Sequence, residues 1–98
     1  VTLNELAIQC HEDVEKWFPD LAWNLPHQAL GLCGEAGELA NLVKKAQRGT
    51  VTFAEIQDKM SKEAIDVLVY LLSIFTILEM DPEEQYARVR AANAKRFG

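Results

Sequence analysis

Apolar residues recur at intervals of three and four along most of the chain, and the recurrence breaks only where Pro, Gly or Asp intervene. Leu3, Leu6, Ala7, Cys10, Val14, Trp17 and Phe18 share one face, which predicts an amphipathic helix ending before Pro19. Thr2-Leu-Asn-Glu5 reads as its capping box. Pro19 to Pro26, with Asp20 and Asn24 between the prolines, predicts an irregular connector. From about His27 to Arg48 a wide apolar face returns through Ala29, Leu30, Leu32, Cys33, Ala36, Leu39, Ala40, Leu42 and Val43, and Gly49 supplies a left-handed stop.

Thr52-Phe-Ala-Glu55 is a second capping box, and no Gly or Pro interrupts the chain from Phe53 to about Glu79. This predicts a third helix of about 27 residues and about 40 Å, with Ser61 as the place where it could divide. From Ile65 onward it is apolar nearly all round, the pattern of a helix buried on several sides. Asp81-Pro82-Glu83-Glu84 then opens a fourth helix, with Asp81 as cap, Pro82 in the first helical position and Glu84 placed to reach back. That helix is expected to run to the last few residues. No strand-like alternation, internal repeat or low-complexity tract occurs, so the expected fold is all-α, four helices in one domain over residues 1–98.

Gly31, Gly34 and Gly37 recur every third residue inside the second helix, where each costs roughly 1 kcal/mol relative to Ala. The expected compensation is close approach of a neighbouring helix along their shared stripe. Composition adds a second expectation of contact. With 49% hydrophobic and 26% charged residues in 98, the chain carries more apolar surface than so small a monomer readily buries, which predicts an oligomer. The net charge of −5 argues against a nucleic-acid groove, because duplex binding depends on Lys and Arg neutralising phosphates.

Cys10 and Cys33 form no C-x-x-C pair and are expected to be reduced and at least partly buried, as in a reducing cytoplasm. The first twenty residues lack the apolar core of a signal peptide, and the start at Val1 points to processing or trimming. Ala64 to Met80 is interrupted by Asp66 and Glu79 and falls short of the roughly 20 apolar residues of a membrane span.

The candidate chemistry lies in two acidic pairs, Glu35 with Glu38 and Glu63 with Asp66. Residues three apart project from one helix face, so two packed helices could bring four carboxylates together. Such pairs are common on solvated faces. Here the first precedes an apolar stripe and the second opens the most hydrophobic stretch of the chain, where uncompensated carboxylates must protonate or bind a cation. Oxygen donors without a His three residues on favour Mg²⁺, with Mn²⁺ as substitute, over the di-iron pattern. Magnesium in turn points to a phosphate ester or anhydride as substrate. Arg90, Asn93 and Arg96 share a stripe of the fourth helix, either a solvated surface or donors to phosphate oxygens. Trp17, Trp23, His27 and Tyr70 either pack or contact a flat ligand.

Gly34-Glu35-Ala36-Gly37-Glu38-Leu39-Ala40, then Glu63-Ala64-Ile65-Asp66-Val67-Leu68-Val69-Tyr70-Leu71, then Arg90-Ala-Ala-Asn93-Ala-Lys-Arg96-Phe97 together resemble the signature of the MazG-like all-α nucleoside triphosphate pyrophosphohydrolases. In motif the chain is most similar to the dCTP pyrophosphatase branch. The resemblance covers the chain from Trp17 on. It implies a four-helix, MazG-like bundle completed as a homodimer or homotetramer, and Mg-dependent hydrolysis of a nucleoside triphosphate to monophosphate and pyrophosphate, in nucleotide-pool house-cleaning.

Carried over by residue, it implies Glu35, Glu38, Glu63 and Asp66 as metal ligands, with Glu35 or Glu38 in the catalytic role. It implies Arg90, Asn93 and Arg96 for phosphates, and Trp23, His27 and Tyr70 for base or sugar. Two departures stand out. Gly34-Glu35 replaces the consecutive acids of many members, and Lys45 stands where an aromatic residue is expected. Two other classes compete with the enzyme. A nucleotide sensor with the same metal cluster would bind without turnover, and a structural helical factor would be indifferent to loss of Glu38 and Asp66.

Overall fold

Four α-helices and no strand make up the regular structure: α1 (Leu3–Trp17), α2 (Leu25–Gln47), α3 (Phe53–Ile77) and α4 (Pro82–Phe97). The structure is a computed structural model that describes residues 1–98. No helix is long and apolar enough to cross a membrane.

Each helix end has a local chemical cause. At α1 the Thr2 hydroxyl accepts from the Glu5 N–H at 3.1 Å and donates to Glu5 Oε1 at 3.1 Å. At α3 the box is reciprocal: the Glu55 N–H donates to Thr52 Oγ1 at 3.2 Å and the Thr52 N–H to Glu55 Oε1 at 3.2 Å. Helix α2 begins two residues before the expected His27, because Pro26 falls in the first turn, where its missing N–H is no loss. It ends as a Schellman motif, with Thr50 N–H bonded to Lys45 O, Gly49 N–H to Ala46 O, and Gly49 at φ 82.

Helix α3 is continuous through Ser61 and stops at Ile77. Its end repeats the same motif without glycine: Met80 N–H reaches Phe75 O, Glu79 N–H reaches Thr76 O, and Glu79 itself takes φ 56. Glu79, expected inside the helix, is thus its left-handed stop.

The chain divides into two compact units, one of Val1–Asn24 with Leu72–Gly98 and one of Leu25–Leu71. In the first, α1 packs against α4, and a polar clip joins their starts. Asn4 donates its Nδ2 to Asp81 Oδ2 at 2.9 Å and accepts the Glu83 N–H on its Oδ1 at 3.1 Å, while its own N–H reaches Glu83 Oε2 at 3.3 Å. Asp81 also accepts the Glu84 N–H at 2.9 Å, so Asn4, not Glu84, completes this cap. Ala7, His11, Ala22, Leu72, Ser73 and Pro82 are the buried residues of the unit. The two tryptophans do not roof it: Trp17 is 62% exposed and Trp23 57%, the latter set edge-on to the His11 ring at 4.3 Å.

In the second unit α2 and α3 meet where the Tyr70 ring lies against the backbone of Gly31, leaving no room for a Cβ. Gly34 and Gly37 have nothing within 4 Å of where a Cβ would stand, so the expected close stripe is realised at Gly31 alone. On α3 Ile65 is 54% exposed and Leu71 39%, and on α2 Leu30 is 73% exposed, so this chain does not by itself bury α3 on several sides. Both cysteines are free. Cys10 is half-buried, with its thiol pKa raised by burial and by Asp13, whereas Cys33 is exposed, contrary to expectation.

Candidate metal centre

The Gly31–Tyr70 contact lies one helical turn from the acidic pairs, before Glu35 on α2 and after Asp66 on α3. By fixing the spacing of the two helices there, it brings Glu35, Glu63 and Asp66 together, each offering an oxygen within 4.8 Å of the other two. All three residues are half-buried. Glu38, the fourth expected ligand, is exposed and stands outside this group, within hydrogen-bonding reach of Glu63.

Two oxygens of the cluster lack donors. Glu35 Oε2 and Glu63 Oε2 are both buried without a hydrogen-bond partner. The Glu63 carboxyl is held above its ordinary pKa, first by the hydrogen bond it would share with Glu35, then by burial and by the Glu35 charge, against the opposing pull of Lys62 and Glu38. These two facts have one physical cause. Facing carboxylates are all acceptors when ionised, so they bond to each other only through a shared proton, and otherwise require a cation. Donors of this kind fit a hard divalent ion: oxygens about 2.1 Å from a magnesium stand about 3.0 Å apart when cis and about 4.2 Å when trans, so an ion would draw the three inward from within 4.8 Å.

One positive charge already touches the cluster. Lys62 Nζ lies 2.8 Å from Asp66 Oδ2 and 3.8 Å from Glu63 Oε1. Its pKa is raised, chiefly by the hydrogen bond to Asp66 and then by the charges of Asp66, Glu63 and Glu35. Beside it opens a groove of about 280 Å³ lined by Glu38, Asn41, Lys45, Lys59, Lys62 and Glu63.

The remaining expected site residues are not part of this cluster. Arg90, Asn93 and Arg96 are exposed on α4, Arg96 with its guanidinium 4.8 Å over the Phe97 ring. Trp23 lies in the connector before α2 and His27 is half-buried in the first turn of α2. Tyr70 is half-buried, with its ring against Gly31.

Of the groove's lysines, Lys45 stood out only as a departure from the family pattern, and Lys59 and Lys62 were not singled out by motif spacing. Their signal was present all the same, since Lys59 and Lys62 stand four residues before Glu63 and Asp66, on the same helix face. His11 was missed as well. It is buried, with Nε2 2.8 Å from Glu15 Oε1 but out of line for a hydrogen bond. Compared with protein-family models, curated proteins and solved structures, the chain matches none.

Proposed function

We propose that the chain is a magnesium-dependent nucleoside triphosphate pyrophosphohydrolase of MazG-like type, cleaving a (d)NTP between the α and β phosphates. The observation that supports this most is the pair of buried, donorless oxygens on Glu35 and Glu63, beside Asp66, where two helices converge. A cluster serving only as a solvated face would not bury them.

Glu35, Glu63 and Asp66 would hold the ion, with Mn²⁺ as a substitute. Bound there, a divalent cation supplies charge to a polyphosphate and acidity to water. Glu38 is better placed than Glu35 to take the proton from the attacking water, because it is exposed at the groove while Glu35 Oε2 is buried. The Tyr70 ring is committed to Gly31, which leaves Trp23 and His27 for base and sugar. Arg90, Asn93 and Arg96 are assigned to phosphate by motif alone, and Trp23 and His27 by residue type, outside the motifs. The exposed Leu30 and Ile65 support burial of this helix pair by a second copy, in a dimer or tetramer.

The test is a panel of canonical and damaged (d)NTPs with Mg²⁺, measuring monophosphate and pyrophosphate together. Equal release of both products from at least one substrate, abolished in Asp66→Asn, is the expected result. Absence of release across the panel refutes the enzyme, and tight nucleotide binding without turnover would instead favour the sensor.

A further inference from the structure

Lys62 is tied to the cluster and also lines the groove, and these two places suit different stages of binding. In the cluster it faces Glu63 and Asp66 and feels the charge of Glu35, so its single ammonium partly neutralises three carboxylates. A divalent ion bound by Asp66 and Glu63 would repel that ammonium at short range, since both cations would compete for the same carboxylates. Nothing else holds Lys62 there. Its side chain is 70% exposed, and its flexible stem can carry the charge away at little cost beyond the pair it leaves.

The groove offers the released ammonium a purpose. Its volume of about 280 Å³ falls just below the roughly 300–1,000 Å³ of sites for whole drug-sized ligands, so it suits a polyphosphate chain better than an entire nucleotide. Lys45 and Lys59 line it with Asn41 and engage in no ion pair, and Glu38 and Glu63 form its acidic edge. Lysine ammoniums bind phosphate as compact point charges.

We propose that Lys62 is a displaceable counter-ion: it holds the cation place at Glu63 and Asp66 in the metal-free protein, and on metal binding turns into the groove to join Lys45 and Lys59 as the third ammonium for a triphosphate. This rests on the metal site proposed above, and it assigns the triphosphate to residues of α2 and α3, not to Arg90 and Arg96.

Two binding measurements on the full chain test it without reference to turnover. In the first, Mn²⁺ affinity is read by electron paramagnetic resonance for the wild type, Lys62→Gln, Lys59→Gln and Glu63→Gln. Lys62→Gln should bind Mn²⁺ roughly two- to fivefold more tightly than wild type, the range that loss of one exposed ion pair allows. Lys59→Gln should change little, and Glu63→Gln should bind weakly or not at all. Equal affinity in wild type and Lys62→Gln overturns the counter-ion while leaving the metal site standing. An equal gain in Lys59→Gln overturns it too, since general charge would then explain the effect. No Mn²⁺ binding in any protein overturns both.

In the second, binding of inorganic tripolyphosphate is measured by calorimetry at saturating Mn²⁺. Lys62→Gln, which gained metal, should lose tripolyphosphate affinity by several-fold, as should Lys45→Gln and Lys59→Gln. Undiminished binding in all three, with loss in Arg90→Gln or Arg96→Gln, would place the phosphates on α4 and refute the groove.

Discussion

Replacing Gly31 by Ala tests the contact that spaces the carboxylates. The new methyl would fall on the Tyr70 ring, and overpacking of this kind costs about 1–3 kcal/mol. The same change removes a helix-interior glycine, which contributes about 1 kcal/mol in the opposite direction. Gly34 and Gly37 separate the two effects, because nothing lies within 4 Å of a Cβ at either. Gly34→Ala and Gly37→Ala should therefore stabilise by about 1 kcal/mol, and Gly31→Ala should fall about 1–3 kcal/mol below them.

Urea unfolding followed by far-ultraviolet circular dichroism gives the ranking, and in thermal melts the gap should be at least about 4 °C. A Tyr70→Ala background supplies the decisive control, since without the ring Gly31→Ala should behave like Gly34→Ala. Should Gly31→Ala stabilise the wild type as much as Gly34→Ala does, Tyr70 does not pack on α2, and the spacing of the carboxylate cluster loses its cause. Should Gly34→Ala be the damaging change, a helix from a second copy covers that stripe.

Other perturbations have equally definite outcomes. Glu79→Gly should stabilise by about 1 kcal/mol in urea, because an L-residue at φ 56 is strained by about that amount. Thr52→Ala should destabilise by about 1 kcal/mol through loss of the α3 cap. The Asp81 carboxyl is held below its ordinary value of 3.8 by the Glu84 N–H and then by Asn4. Its contribution is complete above that value and lost as pH falls through the lowered one. Melts from pH 5 down to pH 2 should thus drop more steeply in wild type than in Asp81→Asn, which still caps but does not titrate. Glu63→Gln removes one of two facing carboxylates. It should raise the metal-free melting midpoint at pH 7 and abolish the rise expected with Mg²⁺ in wild type if the proposed metal site holds.

The helices were legible because their ends are written in local chemistry. Thr2 and Thr52 with a glutamate three residues on, Asp81 before Pro82, and Gly49 after a basic turn each act within a few residues of themselves. Two of the three cluster residues were legible for a similar reason, since helical spacing alone puts Glu63 and Asp66 on one face. What depended on tertiary contact was not. Nothing in the sequence distinguishes Gly31, which meets a ring, from Gly34 and Gly37, which meet nothing. The same holds for Glu38, which reaches Glu63 but stays exposed, outside the group of Glu35, Glu63 and Asp66. Asn4 looked like an ordinary first-turn residue, because its partners are 77 and 79 positions away.

That Asn4 clip bears on the order in which the molecule assembles. The unit of α2 and the first part of α3 is continuous, Leu25–Leu71, so it can form while the C-terminal residues are still being synthesised. The unit held by Asn4 is split, and α1 must wait for Leu72–Gly98 before it finds its partner. Gly31 and Tyr70 are 39 positions apart, Asn4 and Asp81 77, so the second closure spans about twice the loop and costs only about 0.6 kcal/mol more in chain entropy. Its penalty is one of timing: until Asp81 arrives, α1 has its apolar face open to whatever else is folding nearby.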